Sequence, residues 1–228
     1  MAALLLVEGL SKSYPCGTRI VADAALAIHP GEIVGLSGKS GQGKSTIARI
    51  LCGLLPADQG RAALAGQTLF APGQRYNTAV RPAIQLIHQQ PFAALDRCQT
   101  ILDAVAEPIR CHNGVGWPQA RTQAAALLEA TGLAHDLHRR RPWQLSGGQC
   151  QRAAVARALA VSPRLILADE ATSALDIPTG RQVIGLLQDW VAQSGGGLLL
   201  ISHDTAMLAA VCHRQYHLEN TDLKEIHQ

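Results

Sequence analysis

Three short runs of apolar residues recur along the chain, and each leads directly into polar or glycine residues. They lie at residues 32–36 (EIVGL), 165–168 and 198–201. Runs that are apolar on both faces are typical of strands in a parallel sheet that is covered by helices on either side. In such sheets ligands gather at the carboxyl ends of the strands. The pattern therefore predicts an α/β core with its functional residues after these three runs.

Helical periodicity follows the first run and dominates the middle of the chain. Residues 46–55 (TIARILCGLL) carry a helical pattern up to Pro56, and residues from about 100 to 160 lose the strand pattern and become helical. We interpret residues 89–160 as a helical lobe inserted into a core formed by residues 1–88 and 161–228. The opening MAALLLVEGL lacks the basic flank and the small-residue cleavage site of a signal peptide. We interpret it as an opening strand.

Composition narrows the class of protein. The chain has 228 residues, of which 47% are hydrophobic and 16% charged, with a net charge of +3. These values suit a globular domain and argue against disorder or a basic nucleic-acid surface. The six cysteines form no C-x-x-C pair, so a zinc site of that type is not expected. No apolar run reaches the roughly 18 residues of a membrane helix, and we expect a soluble protein.

A glycine-rich loop follows the first predicted strand. Residues 38–45 (GKSGQGKS) match the phosphate-loop pattern G-x-x-x-x-G-K-[ST]. Its glycines let backbone N–H groups approach a phosphate at the start of a helix. Lys44 is predicted to reach the β- and γ-phosphates, and Ser45 to bind Mg²⁺. The other predicted nucleotide contacts from this segment are Gly38, Ser40, Gly41, Gln42, Gly43 and Thr46. The side chain of Gln42, where serine or cysteine is common, can point away while its N–H serves the phosphate.

Two adjacent carboxylates follow the second run. Asp169 is predicted to hold the Mg²⁺ shell, and Glu170 to act as general base or to orient the attacking water. The alternative is a carboxylate pair that caps a strand or helix end.

The segment Leu145 to Gln149 has the sequence LSGGQ. With the phosphate loop, it makes this chain resemble ABC-family nucleotide-binding domains over nearly its whole length. The resemblance implies a phosphate-loop NTPase core with a mostly parallel sheet, an N-terminal antiparallel β-subdomain and an inserted helical signature lobe. It further implies that Ser146, Gly147, Gly148 and Gln149 meet the γ-phosphate of an ATP bound to the opposite subunit.

The same resemblance assigns four more residues. Gln89, in LIHQQP, corresponds to the glutamine that approaches Mg²⁺ and the attacking water, and Asp176, in SALD, to a residue that crosses the dimer interface. His203, in ISHD, corresponds to the switch histidine at the γ-phosphate, and Tyr14 to the aromatic that stacks on adenine. A lone histidine is otherwise usually structural, and a lone aromatic near a strand usually belongs to the core.

Within the family, the stretch from QLSGGQ to SALD and the PFAAL segment resemble ATPases of peptide and nickel importers. The cofactors implied are ATP and Mg²⁺. The partners implied are two membrane permease subunits, a second ATPase chain of the same or a related kind, and indirectly a solute-binding protein, with no nucleic acid. The location implied is the cytoplasmic face of the inner membrane, with Pro91, Phe92 and Leu95 at the permease docking site.

Three features leave alternatives open. Cys150 is expected in the first turn of the signature helix and is either a reactive thiolate or a buried, inert thiol. The pairs His135/His138 and His213/His217 stand at helical spacing, and we interpret them as structural rather than metal-binding. The last predicted hairpin, in LENTDLKEI, lacks the usual glycine turn.

Other functions fit less well. A soluble ABC ATPase of DNA repair is expected to carry a long coiled-coil insertion, whereas only about 55 residues separate Gln89 from LSGGQ. A translation factor of this family is expected to have two ATPase halves. A small-molecule kinase would have no use for LSGGQ.

Overall fold

The computed structural model describes residues 2–14 and 17–226, and its chain divides into two units. The first unit contains the chain up to Leu86, Arg164–Glu170 and the chain from Trp190 onward. The second contains Ile87–Pro163 and Ala171–Asp189. The predicted lobe at 89–160 overlaps the second unit, which also takes in Ala171–Asp189, a segment that the sequence prediction assigned to the core. The boundaries of the two predicted domains stay predictions.

Ten strands and six α-helices are named here in chain order. The strands are β1 (Leu5–Ser13), β2 (Arg19–Ile28), β3 (Ile33–Ser37), β4 (Gln59–Leu64), β5 (Gln67–Phe70), β6 (Ile84–Ile87), β7 (Leu165–Asp169), β8 (Gly197–Ile201), β9 (Arg214–Glu219) and β10 (Asp222–Ile226). The helices are α1 (Lys44–Leu51), α2 (Ile101–Asn113), α3 (Trp117–Ala130), α4 (Gly147–Leu159), α5 (Ile177–Ser194) and α6 (Thr205–Val211).

The strands form two sheets. One has the order β10-β9-β3-β8-β7-β6, in which β3 runs parallel to both β8 and β9, and β7 runs parallel to β8. Its central strands β3, β7 and β8 are buried along their whole length, as continuous apolar runs require. The other sheet, β2-β1-β4-β5, is antiparallel. The predicted fold class is confirmed, including the mostly parallel core sheet and the N-terminal antiparallel sheet.

The core of the first unit brings side chains of both sheets together with helix α1. Leu5 and Val7 of β1 are fully buried, and so are Ile47 and Leu51 of α1. Helix α1 ends at Leu51, earlier than the periodicity up to Pro56 predicts, because Gly53 adopts a left-handed conformation with φ 67°.

The second unit is helical and has a core of its own. Helices α2, α3 and α4 supply most of this core, in which small residues such as Ala120, Ala124 and Ala153 allow the helices to pack closely. Helix α2 begins where Thr100 Oγ1 accepts a hydrogen bond from the N–H of Asp103, and it ends at Gly114 in the left-handed region. None of the helices in the described ranges is both long and apolar enough to cross a membrane.

The last hairpin forms without a glycine. Strands β9 and β10 pair antiparallel, and the turn between them places Asn220 at φ 49° and Thr221 at φ 78°. Two successive positive φ values are typical of the tight turns that match the twist of a hairpin. Asparagine tolerates this region, but a β-branched threonine is strained there.

Candidate functional site

The glycine-rich loop connects β3 to α1, as the sequence predicts. Gly43 stands at the N-terminus of α1 with φ 109°, a conformation that disfavours other residues. A Cβ atom at this position would lie 2.3 Å from Cγ2 of Ile20, so the site excludes side chains by contact as well as by conformation. No side chain caps this helix end. The first N–H groups of α1 are thus directed to the loop's concave face, where a phosphate would bind.

The ammonium group of Lys44 is held inside this loop. Its Nζ donates to the carbonyl oxygens of Gly38, at 2.7 Å, and of Lys39, at 3.0 Å. An ammonium has three N–H donors, so one remains for a phosphate oxygen. Because Lys44 is only 6% exposed, its charge acts in a partly desolvated setting, where it attracts anions more strongly than at the surface.

Ser45 and Asp169 come together from the loop and from the end of β7. The Ser45 hydroxyl donates to Oδ1 of Asp169 at 3.0 Å, and Asp169 is buried. Two oxygen ligands on adjacent corners of an octahedral Mg²⁺ shell stand about 2.9–3.0 Å apart, since each Mg–O distance is about 2.0–2.1 Å. The spacing and the hard oxygen donors therefore fit Mg²⁺.

Glu170 and His203 form the second contact across the ends of the core strands. His203 Nδ1 lies 2.9 Å and 3.1 Å from the two carboxylate oxygens of Glu170. Glu170 adopts φ 51°, which costs about 1–3 kcal/mol for a residue other than glycine, while its N–H donates to the carbonyl of Ile201. The backbone of Glu170 is thus strained at a position where the carboxylate meets the histidine.

The side chain of Gln42 does not point away from the loop, so that part of the prediction is wrong, while the contact of its N–H with a phosphate stays a prediction. Its Oε1 accepts a hydrogen bond from the N–H of Lys39 at 2.8 Å, and its own N–H faces the Lys39 carbonyl at 3.4 Å. Gln42 therefore braces the turn formed by Ser40 and Gly41. The side chain folds back because this turn brings Gln42 Oε1 within hydrogen-bonding distance of the Lys39 N–H.

Tyr14 lies at the end of β1 on the side of α1. Its ring is 37% exposed and its hydroxyl is 3.5 Å from Oγ1 of Thr46. An exposed ring near the first turn of α1 is available for stacking, and adenine stacking by Tyr14 stays a prediction. The next two residues lie outside the described part of the chain.

In the second unit, the signature segment caps its own helix. Ser146 Oγ accepts from the N–H of Gln149 at 3.3 Å, and Gln149 Oε1 accepts from the N–H of Ser146 at 3.0 Å. This reciprocal arrangement is a capping box. Sequence reasoning assigned Gln149 to the nucleotide and missed this role, although S-x-x-Q before a helix is its recognised signal.

The two glycines of the signature differ in their surroundings. A Cβ atom on Gly147 would meet nothing within 4 Å, whereas one on Gly148 would lie 2.6 Å from Cγ2 of Thr179. Thr179 in turn donates its N–H and its hydroxyl to the carboxylate of Asp176, each at 2.9 Å. These bonds, that of the N–H above all, hold the pKa of Asp176 below its usual range. Asp176 thus caps the start of α5, and its dimer contact stays a prediction.

The remaining predicted residues of the second unit are partly accessible. Gln89 is exposed, and its approach to Mg²⁺ stays a prediction. Of the predicted docking residues, Phe92 is exposed, but Pro91 and Leu95 are buried, and Leu95 belongs to the core of this unit. A docking role for Leu95 at the surface is therefore wrong, because its side chain packs inward.

Cys150 is the buried, inert thiol of the two alternatives. Its side chain is inaccessible, its Sγ–H donates to the carbonyl of Pro142 at 3.3 Å, and burial raises its pKa to about 11. The dipole of α4 does not overcome this desolvation, since a thiolate would lose both water and its donor role.

Two further contacts near the loop had no clear sequence signal. Ser37, the last residue of β3, lies 2.8 Å from Nδ1 of His217 and donates to the carbonyl of Tyr216. His217 lies in β9 and His213 precedes it, so their predicted helical spacing is wrong. The Nδ1 atom of His213 accepts a hydrogen bond from the N–H of Ile33. Both histidines thus bond to β3.

Comparisons with known proteins agree with this geometry. A family model described as ABC transporter matches residues 21–173. The chain is 42% identical over 211 residues to the glutathione import ATP-binding protein GsiA of Escherichia coli K12, covering 92% of this chain and 34% of that protein. It is 39% identical over 201 residues to the oligopeptide transport ATP-binding protein OppF of the same organism, covering 88% of this chain and 60% of that protein. The chain thus spans about a third of the first relative and less than two thirds of the second.

Solved structures extend the likeness to the whole fold. A post-hydrolysis dimer of the ATP-binding cassette MJ0796, bound to ADP and Pi, superposes with a TM-score of 0.87 at 28% identity, covering 98% of this chain and 99% of that chain. A dimeric structure described as a bacterial ABC transporter cassette, also MJ0796, gives a TM-score of 0.86 with the same coverage. The resemblance stated from LSGGQ and the phosphate loop is confirmed, and this chain belongs to the ABC transporter family of ATP-binding proteins.

Proposed function

We propose that this chain is the ATP-hydrolysing subunit of a membrane transporter that imports peptides. The observation that carries the proposal is the set of contacts at the strand ends of the first unit. There Lys44 is buried in the phosphate loop, Ser45 bonds to Asp169, and Glu170 meets His203. The reaction is ATP plus water to ADP plus phosphate.

The loop binds the triphosphate by charge and by backbone geometry. The remaining N–H of Lys44 and the uncapped start of α1 face the β- and γ-phosphates. Both interactions become stronger as negative charge develops on the β-phosphate of the departing ADP. Ser45 and Asp169 would hold Mg²⁺ at the same phosphates. When bound, Mg²⁺ neutralises the charge of the phosphate oxygens.

Glu170 and His203 act on the attacking water and on the γ-phosphate. The Glu170 carboxylate accepts a hydrogen bond from the water and aligns it, as a group within reach of the γ-phosphate must do. Both ring nitrogens donate when the imidazole carries two protons, and in that form His203 can keep Nδ1–H on Glu170 while Nε2–H donates to a phosphate oxygen. The contact with His203 Nδ1 orients the Glu170 carboxylate.

The signature segment serves an ATP bound to a second ATPase chain. Ser146, Gly147 and Gly148 are exposed or half-buried at the first turn of α4, and their helix end attracts an anion. The phosphate loop already surrounds one side of the phosphates, so a helix terminus from another chain would cover the opposite side. The dimeric MJ0796 cassettes are consistent with this arrangement.

Transport is proposed from the relatives. GsiA and OppF are named for import of glutathione and transport of oligopeptides, both peptides, which favours peptide cargo over the nickel suggested by the resemblance. Two permease subunits would hold the ATPase pair at the cytoplasmic face of the membrane, with Phe92 at their contact. A solute-binding protein would deliver the cargo. No observation favours a role in DNA repair or translation.

The central experiment replaces Glu170 by Gln. Loss of the charge and of its acceptor strength at the water should lower the rate of phosphate release about 10²–10⁴-fold, with ATP affinity unchanged. Steady-state hydrolysis and equilibrium nucleotide binding measure the two quantities. Glu219→Gln, an exposed carboxylate outside the site, is the matched control. Near-normal hydrolysis in Glu170→Gln would remove this residue from its role.

Cargo requires the assembled transporter. In vesicles that contain the chain with its permease and solute-binding protein, uptake of labelled di- to pentapeptides should depend on ATP and vanish with Glu170→Gln. ATP-dependent uptake of Ni²⁺ without uptake of peptides would overturn the cargo proposal and leave the ATPase proposal intact.

A further inference from the structure

Three side chains with metal-ligating atoms meet in the second unit, away from the signature residues in sequence. Glu129 lies in the last turn of α3, His135 begins a short 3₁₀ turn (His135–Leu137), and His138 follows that turn. One ligand atom from each residue lies within 4.8 Å of the others. The loop between α3 and the turn is short, and it brings the three residues together.

His138 is oriented like a metal ligand. It is only 2% exposed, and its Nε2 lies 3.1 Å from the carbonyl oxygen of Leu133. A carbonyl only accepts hydrogen bonds, so Nε2 carries the proton and Nδ1 carries a lone pair. That Nδ1 atom is buried and has no hydrogen-bond partner within the described residues. A ligating histidine characteristically donates its other N–H to a carbonyl, which fixes the tautomer and the ring.

The distance between the other two ligand atoms points the same way. His135 Nδ1 stands 3.4 Å from Oε1 of Glu129, longer than a good hydrogen bond. Two ligands on one edge of a tetrahedral Zn²⁺ site stand about 3.3–3.5 Å apart, given metal–ligand distances of about 2.0–2.1 Å. The side chains of His135 and Glu129 are largely exposed, so small rotations can bring them to an ion at His138 Nδ1.

We propose that Glu129, His135 and His138 bind one divalent transition-metal ion, with Zn²⁺ as the best match, in place of the structural role that the sequence alone suggests for the two histidines. Two imidazoles and a carboxylate suit Zn²⁺, Ni²⁺ or Cu²⁺ and do not suit Mg²⁺ or Ca²⁺, which take oxygen ligands. Three protein ligands leave one tetrahedral position for water. This site uses none of the ATP-site residues and does not depend on the proposed function.

The neighbouring charges set a limit on the affinity. Arg139, Arg140 and Arg141 follow directly in the sequence and oppose a cation, while Asp136, which Arg140 approaches at 3.7 Å, favours it. The ion would therefore bind reversibly rather than as a permanent structural centre.

The ion would brace the segment that leads to the signature helix. The carbonyls of His138 and Arg140 already accept hydrogen bonds from Leu102 and Ile101, so this segment is tied to the first turn of α2. Ligation by Glu129 would tie it to the end of α3 as well. The segment would then be held at both helices immediately before it continues to Ser146.

The test titrates Zn²⁺ into nucleotide-free, metal-free protein by calorimetry. Cys98 and Cys111 are exposed, and thiols are good Zn²⁺ ligands, so both are replaced by Ser together with Cys16, which lies outside the described residues. We expect one ion per chain, with affinity at least about 10-fold weaker in His135→Ala and in Glu129→Gln. His112→Ala, an exposed histidine in the last turn of α2, is the matched control and should bind as the parent does.

A thermal measurement separates ligation from misfolding. His135 and Glu129 are exposed, so their variants should keep the melting temperature of the metal-free parent, and only the parent and His112→Ala should gain stability with Zn²⁺. Absence of Zn²⁺ binding by the parent, or equal affinity in parent and His135→Ala, overturns the proposal. A gain in stability with Mg²⁺ equal to that with Zn²⁺ overturns the assigned metal class.

Discussion

The phosphate loop and the signature segment both present the start of a helix, but they satisfy it differently. Gly43 leaves the end of α1 without a side-chain cap, whereas Ser146 and Gln149 cap α4 reciprocally. In the loop, the buried ammonium of Lys44 donates to neutral carbonyl oxygens. A charged phosphate oxygen would attract it more strongly. The loop thus keeps N–H donors for an anion, whereas the signature satisfies the start of its helix with its own side chains.

This difference predicts where mutations change binding and where they change stability. A loop residue should affect nucleotide affinity with little change in melting temperature. A signature residue should affect stability where it packs, as Gly148 does, and assembly where it is open, as Gly147 is.

The largest effect on nucleotide affinity is expected for Lys44→Ala. Loss of a charge-assisted hydrogen bond of about 1.5–3 kcal/mol should weaken ATP binding about 10- to 100-fold. Fluorescent-nucleotide titration measures it, with Lys224→Ala, an exposed lysine of β10, as control. An unchanged affinity in Lys44→Ala would contradict the proposed difference between the loop and the signature segment, because nucleotide binding would then not depend on the Lys44 charge.

The open glycine of the signature tests the composite site. Gly147→Asp adds negative charge where a γ-phosphate would approach and meets no atom of its own chain within 4 Å at Cβ. It should keep ATP affinity and abolish ATP-driven dimer closure, measured by light scattering of the Glu170→Gln protein.

Mixing Gly147→Asp with Lys44→Ala should restore part of this closure, because one of the two sites then carries both lesions and the other is intact. Normal closure by Gly147→Asp alone would contradict the composite site. If the natural partner is a related ATPase chain, the mixture is made with that chain.

The packed glycine should behave in the opposite way. Gly148→Ala places Cβ 2.6 Å from Cγ2 of Thr179, and such overpacking typically costs about 1–3 kcal/mol of unfolding free energy. Thr179→Ser removes that methyl group and keeps both bonds to Asp176. The double variant should therefore recover most of the lost stability in chemical denaturation, and failure to recover would place the cost of Gly148→Ala elsewhere.

The smallest effect is expected in the turn of the last hairpin. Thr221→Gly relieves a β-branched residue at φ 78° and should raise the unfolding free energy by about 0.5–1 kcal/mol, a net of relieved strain and added chain entropy. Asp222→Gly, in β10 next to the turn, is the control and should lower it.

Prediction from the sequence succeeded where local pattern and a fixed motif coincide. The apolar runs at 165–168 and 198–201 are strands β7 and β8, and GKSGQGKS lies between strand and helix, because both signals are carried by neighbouring residues. The capping box of Ser146 and Gln149 is equally local, and its recognised signal was overlooked.

Prediction from the sequence failed for contacts between residues that are distant in the chain. It also failed for one local turn whose shape the sequence does not reveal. Leu95 packs into a helical core whose other buried residues lie between positions 101 and 160, and the approach of Thr179 to Gly148 depends on the start of α5. The inward reach of Gln42 depends on the shape of its own turn. Periodicity contains no information on such partners.

The order of strands in the parallel sheet has a consequence for biosynthesis. Strand β3 stands between β8 and β9, which are encoded far downstream, so the strand that carries the phosphate loop cannot gain its neighbours until almost the whole described chain has left the ribosome. Residues 87–163, by contrast, are continuous and already contain the helical core. During synthesis this segment can fold first. The apolar strand β3 stays unpaired until β8 and β9 are made, and we expect it to be a binding site for chaperones on the nascent chain.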